Sequence, residues 1–195
     1  KSNIENVIPL LKWVGGKREL LPQLRRFYEG LEFNNYYEPF FGGGSVYLDI
    51  IKTFGIEKKN NSFINDINTD LVNLLKDVKQ NPKEIIENLY KLKELYELND
   101  FYYIRDRFNG IDREKNIVEK YTGIERSSSL LILNRTCFNG LYRTNKSGLF
   151  NVPSGKYKNP RLINEENIML FSSILPPSEN ILNVDFSSIK DVKKN

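Results

Sequence analysis

Residues 35–45 read Asn35-Tyr36-Tyr37-Glu38-Pro39-Phe40-Phe41-Gly42-Gly43-Gly44-Ser45, and no other stretch says as much about the fold. The aromatic run before the glycines is typical of a β-strand. The glycines lack Cβ atoms, so the backbone can turn sharply there and pass close to a ligand. Ser45 is a helix-capping residue type, and apolar residues recur through residues 46–51. The stretch therefore predicts a strand, a glycine loop and a helix that Ser45 caps.

The same alternation continues on both sides of this unit. Residues 62–66 predict a second strand that ends at Asp66, and leucines at helical spacing predict a helix after it. Upstream, a double-glycine turn at residues 15–16 precedes an amphipathic helix at residues 18–28. This alternation predicts an α/β fold with a Rossmann-like, doubly wound parallel sheet.

The middle of the chain has a different pattern. Residues 82–133 show apolar residues at helical spacing, and a hairpin turn is predicted near Gly148. The α/β pattern resumes with a helix at residues 165–174 and a strand at residues 181–186. We interpret the helical block and the hairpin as an insertion between sheet strands. The predicted domains are an α/β domain in two parts, residues 1–78 and 161–195, and an inserted domain, residues 79–160.

Composition excludes several classes of function. The 195 residues contain no His and one Cys, which excludes a Ser-His-Asp or Cys-His triad, an internal disulfide and most zinc sites. No apolar run reaches the roughly 20 residues of a membrane helix, and no signal-like apolar block follows the N-terminal charge. These features predict a cytoplasmic protein without a membrane or metal partner. The net charge of +4 and the pI near 9.0 fit one basic face, although a solvated lysine-rich surface explains them equally well.

Two features predict a ligand site at the carboxyl edge of the sheet. The glycine loop follows the first strand, and Asp66 follows the second, where an acid can accept hydrogen bonds from a ribose diol. The glycine spacing is not G-x-G-x-x-G, so the dinucleotide fingerprint is missing. A purely structural turn is the alternative for the glycines, and a helix cap is the alternative for Asp66.

The N-terminal segment Lys12-Trp13-Val14-Gly15-Gly16-Lys17 contains the only Trp of the chain. An indole can cover an adenine or a thioether, and an ammonium group can pair with a carboxylate or a phosphate. The alternative is that Trp13 belongs to the core.

Residues 134–143 read Asn134-Arg135-Thr136-Cys137-Phe138-Asn139-Gly140-Leu141-Tyr142-Arg143 and lead into the predicted hairpin of residues 144–153. Asn and Arg side chains can read base edges, and an aromatic ring can stack on a base. The segment therefore predicts contact with a nucleic acid.

Four segments of the chain together resemble a known family. They are residues 12–17, residues 38–46, residues 65–68 and residues 134–143, in this order. The series resembles the Dam-like, D12 class N6-adenine-specific DNA methyltransferases, a family that includes restriction-modification partners, and the resemblance covers residues 10–186. It implies transfer of a methyl group from S-adenosylmethionine to N6 of an adenine in double-stranded DNA. Residues 79–160 would then contain the target-recognition domain.

The resemblance also implies which residues bind the cofactor. Trp13 and Lys17 match an N-terminal cofactor motif, and Asp66 matches the ribose-binding acid. Asp185 and Phe186 match an Asp-Phe pair beside the adenine of the cofactor, with a plain strand end as the alternative. The implied cofactor residues are Trp13, Lys17, Glu38, Pro39, Phe40, Gly42, Gly43, Gly44, Ser45, Asp66, Asp185 and Phe186.

The implied DNA-contacting segment is residues 135–157. An adenine inside a duplex cannot present N6 to a donor in the sheet crevice, so the base has to flip out of the helix. Tyr142 or Phe138 is a candidate for filling the space it leaves, with burial as the alternative for Phe138. The implied DNA residues are Arg135, Asn139, Tyr142, Arg143 and Asn145, with Lys146, Lys156 and Lys158 on phosphates.

The sequence departs from the family pattern in one respect. The family's Asp-Pro-Pro-Tyr motif is expected after the strand of residues 181–186, but the sequence has no such motif, and Pro176-Pro177 lacks the preceding Asp. That motif would accept hydrogen bonds from N6 and stack on the flipped adenine. We therefore expect these residues to be an incomplete methyltransferase that does not methylate alone, and no catalytic residue is assigned.

Three other interpretations stay open. The first is a non-catalytic DNA-binding or regulatory remnant of a methyltransferase. The second is an enzyme that uses a nicotinamide cofactor at the glycine loop, against which the glycine spacing argues. The third is an α/β domain whose loops are only structural.

Overall fold

The sheet is parallel, as the sequence predicts, and small. The computed structural model of the chain describes residues 3–185. Both strand pairs are parallel, with Tyr36 opposite Ser62 and Ile64 opposite Ile181. All strands therefore end at the same edge of the sheet. In spatial order, the strands are β1 (Tyr36–Glu38), β2 (Ser62–Asn65) and β3 (Ile181–Leu182).

The first and third strands are shorter than predicted. β1 ends at Glu38, because the next residue is a proline that has no N–H to donate to the ladder. β3 ends at Leu182, and beyond it the N–H of Val184 donates to the side chain of Asn65 instead of a neighbouring strand. Phe186, predicted to end this strand, lies outside the described residues.

Helices make up most of the remaining regular structure. The helix predicted at residues 165–174 has the predicted bounds, and a 3₁₀ turn followed by an α-helix covers the predicted residues 18–28. Short 3₁₀ helices are Ile4–Asn6, Arg18–Leu20, Ile56–Asn61, Phe138–Gly140 and Ser178–Asn180. The α-helices of the described chain are α1 (Leu21–Tyr28), α2 (Ser45–Phe54), α3 (Thr69–Gln80), α4 (Pro82–Leu98), α5 (Phe101–Asn109), α6 (Gly123–Thr136) and α7 (Glu165–Ile174).

The start of α2 differs from the prediction. Gly44 is the N-cap residue, with a left-handed φ of 82°, and the Ser45 side chain is not the cap because Ser45 is already inside the helix. A Cβ atom on Gly44 would lie 2.5 Å from Cζ of Phe41. The prediction that Ser45 caps the helix was therefore wrong, because the left-handed turn at Gly44 places the helix boundary one residue earlier.

The helical block packs directly on the α/β part of the chain. α4 buries Ile85, Leu89 and Leu92 and packs mainly on α6. α6 is buried on nearly every side and also contacts α3 and α5. The buried side chains of the sheet, α2, α3 and the block belong to one continuous hydrophobic cluster. The domain boundaries near residues 78 and 160 stay a prediction.

The hairpin turn near Gly148 is present. Thr144 pairs with Phe150 through an isolated antiparallel bridge. Phe150 is buried, and its ring centroid lies 5.9 Å from that of Phe108 on α5. The hairpin is thus anchored to the helical block through Phe150, whose ring packs on Phe108 and whose backbone forms two hydrogen bonds with Asn109.

One buried amide joins the ends of the three strands. Asn65 at the end of β2 donates through Nδ2 to the carbonyl oxygens of Pro39 and Val184, each at 3.0 Å. Its Oδ1 accepts the N–H of Val184 at 2.9 Å. Because the side chain is only 5% exposed, water cannot replace these bonds. The segments that leave β1 and β3 are therefore held against the end of β2.

We expect Asn65→Ala to lower the free energy of unfolding by about 2–4 kcal/mol, because it leaves buried backbone groups without partners. Urea denaturation followed by circular dichroism measures the change. Asn73→Ala, on an exposed position of α3, is the control and should shift stability by less than about 0.5 kcal/mol. Equal stability of the two variants would show that Asn65 does not hold the strand ends together.

Candidate functional site

The carboxyl edge of the sheet gathers acidic residues from all three strands. Glu38 is the last residue of β1, Asp66 follows β2, and Asp185 lies three residues beyond the end of β3. Asp185 is exposed, whereas Glu38 is buried. The predicted cofactor acids thus share one edge but have very different surroundings.

Asp66 connects this edge to the glycine loop. Its Oδ2 accepts the N–H of Gly42 at 2.9 Å, and its Oδ1 accepts the N–H of Asn68 at 2.9 Å. The cap of α3 is Asn68, whose Oδ1 accepts the N–H of Leu71 at 3.0 Å, so the helix-cap alternative for Asp66 does not hold. Each carboxylate oxygen that accepts one hydrogen bond retains capacity for a second. The carboxylate is therefore oriented and can still bind a ligand hydroxyl.

The glycine loop has the close approach that its sequence predicts. Gly42 has a left-handed φ of 54°, and a Cβ atom there would lie 3.2 Å from Cδ1 of Trp13. A Cβ atom on Gly43 would lie 3.4 Å from Cβ of Trp13. The indole therefore packs directly on the backbone of the loop, which brings together two motifs that are about thirty residues apart in sequence.

A small pocket of about 30 Å³ lies between these motifs. Residues 13–17, without Val14, form one wall and residues 38–46, without Pro39, form the other. Lys17 and Glu38 thus line the same space. The N-terminal turn is closed by a hydrogen bond of 3.2 Å from the N–H of Gly16 to the carbonyl of Trp13. Of the other predicted cofactor residues, Phe40 is exposed and Pro39 is half-buried.

Glu38 has an unusual environment for a carboxyl group. Burial raises its pKa to about 7, while the hydrogen bond from Tyr36 and the positive charge of Lys17 act in the opposite direction. The Tyr36 hydroxyl donates to Oε2 of Glu38 at 2.9 Å. A group with this pKa changes charge near neutral pH, and its ionised form becomes more favourable when a cation binds beside it.

Tyr142 lies against the N-terminal motif and not on an open surface. Its ring stacks on Trp13 with centroids 5.4 Å apart and an interplanar angle of 24°. Its hydroxyl donates to Oδ2 of Asp70 at 3.0 Å, and Nε of Arg126 lies 2.8 Å from Oδ1 of the same carboxylate. Desolvation raises the pKa of Tyr142 to about 12. To enter a duplex, this side chain would have to leave both partners.

Asn134 is a structural residue that sequence reasoning missed. It is buried near the end of α6, where Oδ1 accepts the N–H of Lys12 at 2.9 Å and Nδ2 donates to the carbonyl of Lys12 at 2.8 Å. Nδ2 also donates to the carbonyl of Gly140 at 3.2 Å. The side chain therefore holds the N-terminal motif in place and is not available to read a base edge. An Asn within an apolar helical run is the only sequence signal of this role.

The hairpin presents several predicted DNA residues to solvent. Arg143, Asn145 and Lys146 are exposed. Nε of Arg143 donates to Oδ1 of Asn151 at 2.9 Å. Oδ1 of Asn145 accepts the N–H groups of residues 147 and 149. These two hydrogen bonds stabilise the turn of the hairpin. Because both lone pairs of that oxygen are used, a bidentate contact of Asn145 with adenine would require the turn to open.

A second group of exposed residues lies next to the hairpin in sequence and consists of Phe138, Asn139, Lys156 and Lys158. Phe138 is 50% exposed, so the alternative of a buried Phe138 was wrong. Asn139 has a left-handed φ of 53°, and its N–H donates to the hydroxyl of Tyr157 at 3.1 Å. Lys156 and Lys158 flank Tyr157 and are exposed. Arg135 is half-buried in the last turn of α6. In sequence, it is distant from the tip of the hairpin near Gly148.

The described part of the chain also bears on the predicted partners. Within residues 3–185, no group of three His, Cys, Asp or Glu side chains is arranged to hold a metal ion. In the same range, no helix combines the length and apolar character that crossing a bilayer requires.

Comparison with known proteins identifies similar sequences. The family described as D12 class N6 adenine-specific DNA methyltransferase matches residues 13–195. The Type II methyltransferase M.MjaIII of Methanocaldococcus jannaschii is 37% identical, with 95% of this chain and 64% of that protein covered. The Type II methyltransferase M1.LlaDCHI of Lactococcus lactis subsp. cremoris is 35% identical, with 90% and 57% covered. A DNA adenine methylase of Serratia marcescens is 36% identical, with 80% and 52% covered.

The chain thus spans between half and two thirds of the length of these relatives. The residues matched by the family, 13–195, include the glycine loop and the hairpin.

We expect the stability of the protein to depend on the ionisation of Glu38. Its pKa in the folded protein, about 7, lies above the ordinary value of 4.5, so the stabilising contribution is complete below pH 4.5 and is lost as the pH rises to 7 and above. The loss should be roughly 3 kcal/mol. Urea denaturation at a series of pH values, compared with Glu38→Gln, measures it. Glu94→Gln, on an exposed position of α4, is the control, and parallel pH profiles for wild type and Glu38→Gln would contradict this prediction.

Replacing Tyr142 should change the surroundings of Trp13, whose fluorescence can be read without interference because it is the only Trp. Tyr142→Leu removes the stack, so the emission should shift to longer wavelength and iodide should quench it more strongly. The loss of the aromatic pair should also cost about 1 kcal/mol of stability. Tyr142→Phe retains the ring and should change the emission little. Tyr90→Leu, at an exposed position on α4, is the control, and an unchanged spectrum in Tyr142→Leu would refute the stacking contact.

Proposed function

The chain belongs to the D12 class N6 adenine-specific DNA methyltransferases, and on this basis we propose that its sheet crevice binds S-adenosylmethionine beside an adenine flipped out of double-stranded DNA. The observation that supports this proposal best is the meeting of three separate motifs. Trp13 packs on Gly42 of the glycine loop, and the same Gly42 donates its N–H to Asp66. An aromatic ring, an open backbone and an oriented carboxylate therefore lie next to one another at the carboxyl edge of the sheet.

The chemistry of these residues fits the groups of the proposed donor, which supplies a methyl group bound to a cationic sulfur. Trp13 is half-buried and lines the pocket between the motifs, so the exposed part of its ring can attract that cation or contact an adenine ring. Asp66 retains acceptor capacity for ribose hydroxyls. The ammonium group of Lys17 can pair with the carboxylate of the amino-acid tail.

The ionisation of Glu38 in the crevice depends on whether a positive charge lies beside it. Its pKa of about 7 means that the carboxyl is near the midpoint of its titration at neutral pH. A cationic ligand bound beside it would favour the ionised form, so the buried carboxylate would gain a positive partner in addition to the hydrogen bond from Tyr36. We propose that Glu38 selects for the cationic character of the donor.

The DNA side of the proposal rests on exposed cations and amides. Arg143 and Lys146 on the hairpin are exposed, as are Lys156 and Lys158. Lysines contact phosphates as point charges, whereas Arg can form two parallel hydrogen bonds with a guanine edge. We propose Arg143 as the base reader among them, with the lysines on the backbone. Asn139, also exposed, is a second candidate for a base contact.

The flipped adenine leaves a space in the duplex that a side chain can fill. Phe138 is the better candidate of the two that the sequence suggested, because half of its surface is exposed. Tyr142 is engaged by Trp13 and Asp70. We propose that Tyr142 supports the crevice wall and that Phe138 approaches the DNA.

The proposed target atom is N6 of adenine, as the family description indicates. The role expected for an Asp-Pro-Pro-Tyr motif, which these 195 residues lack, stays a prediction. In that prediction, an acid and a backbone carbonyl accept hydrogen bonds from N6 and align its lone pair with the methyl group.

Two substitutions should separate the cofactor and DNA roles. Asp66→Ala should weaken S-adenosylmethionine binding by roughly 10- to 100-fold, because charged hydrogen bonds to the ribose are lost, while DNA affinity stays nearly unchanged. Arg143→Ala should weaken DNA binding by roughly 10-fold and leave cofactor affinity unchanged. Calorimetry with the cofactor and fluorescence anisotropy with duplex DNA measure the two affinities.

Each variant is the control for the other, and circular dichroism checks that both are folded. Asp66→Asn, which has the same shape without the charge, should retain the fold and still bind the cofactor weakly. Absence of cofactor binding by the folded wild-type protein would overturn the proposed crevice, and equal loss of both ligands in both variants would mean that the substitutions act through misfolding.

A further inference from the structure

A second and larger cleft of about 680 Å³ lies beside the pocket of Glu38. Its walls come from residues 8–13, the end of α6 and residues 157–161. Among the residues that the structure describes, the lining includes four cationic side chains and no Asp or Glu. The cations are Lys12, Arg18, Arg135 and Arg161.

Two arginines of this cleft, Arg135 and Arg161, are close enough for their charges to interact, and the described residues that line the cleft provide no acidic counter-charge. Arg135 is half-buried, and desolvation together with the positive charge of Arg161 lowers its pKa. Among the described residues, the ion pairs use Arg25, Lys93 and Arg126 as cations, and none uses a cation of the cleft. Two guanidinium groups in one partly desolvated space repel each other, and a bound anion would remove that repulsion.

The position of the cleft connects it to both parts of the proposed site. Gly43 and Ser45 line this cleft and also the pocket of Glu38. Tyr157, on the opposite side, accepts a hydrogen bond from the N–H of Asn139 and lies between two exposed lysines in sequence. A strand of DNA whose base enters the crevice would therefore bring its backbone close to the cleft.

We propose that this cleft is an oxyanion site formed by Arg18, Arg135 and Arg161, and that it holds a phosphodiester of the DNA strand next to the flipped base. This proposal rests on the proposed function. It changes the role of Arg135 from the base contact expected from the sequence to a phosphate contact. Arg18 and Arg161 are not among the residues that the family resemblance implies.

A phosphodiester fits the cleft better than the carboxylate of the cofactor does. The planar guanidinium group binds phosphate oxygens in pairs, so several arginines can grip one phosphodiester from different sides. A carboxylate carries the same single negative charge, but its two oxygens lie in one plane and can be approached from fewer directions than the oxygens of a tetrahedral phosphodiester. Lys17 lines the pocket of Glu38 and not this cleft, which makes it the nearer partner for the cofactor's carboxylate.

Charge removal at Arg161 tests the site directly. Arg161→Gln should weaken duplex binding by about 3- to 10-fold near physiological salt and should reduce the slope of log Kd against log salt by about one. Arg18→Gln should act in the same direction. Arg161→Lys retains the charge and should restore the slope. Arg26→Gln is the matched control, because Arg26 is an exposed arginine of α1 that does not line the cleft, and its slope should stay close to that of wild type.

The source of the anion is decided by measuring S-adenosylmethionine affinity of the same variants by calorimetry. Unchanged cofactor affinity in Arg161→Gln, together with weaker DNA binding, supports the phosphodiester. Weaker cofactor binding with unchanged DNA binding would overturn it in favour of the cofactor's carboxylate. If neither affinity differs from that of Arg26→Gln, the oxyanion site does not exist.

A probe that needs no DNA separates this proposal from the proposed function. Arginine modification by phenylglyoxal, read by peptide mass spectrometry, should be slowed by inorganic phosphate at Arg135 and Arg161 but not at Arg26. If the folded wild-type protein bound no DNA, the proposed function would fail, while protection by phosphate would still support the oxyanion site. Equal modification of all three arginines with and without phosphate would refute the site.

Discussion

The convergence of the three strand ends on Asn65 and Asp66 is the constraint on which the rest of the structure depends. Asn65 bonds to the segments that leave β1 and β3, and Asp66 bonds to the glycine loop. Because parallel strands release their loops at one edge, these bonds determine where the loops can go. The short strands contribute few ladder bonds, so side chains at the strand ends have an unusually large share in holding the edge together.

Trp13 connects this arrangement to residues 134–143. The indole packs on the glycine loop on one side and stacks on Tyr142 on the other. Asn134 holds the backbone of Lys12, the residue before Trp13, with two hydrogen bonds. The N-terminal motif thus lies between the sheet edge and the end of α6. A ligand that displaces the indole would act on both neighbours, because in a close-packed interior a ring cannot move without its contacts.

Charge is distributed unevenly around these contacts. A buried carboxyl with a raised pKa lies on one side of the glycine loop, whereas the adjoining cleft is lined by cations without an acid. The first environment favours a cationic ligand and the second favours an anion. The modest net charge of +4 conceals this separation, because the composition counts charges without regard to position.

Local patterns in the sequence determined several helices, the parallel direction of the strands and the identity of the motifs. The bounds of α7 were predicted residue for residue, because the spacing of apolar residues is a local signal, and in the structure Asn164 caps the helix. Tertiary structure alone decided the cap of α2, the exposure of Phe138, the internal bonds of Asn134 and the gathering of Arg18, Arg135 and Arg161 around one cleft. The physical reason is that these properties depend on contacts between residues far apart in the chain, and the type of a residue does not specify its distant neighbours.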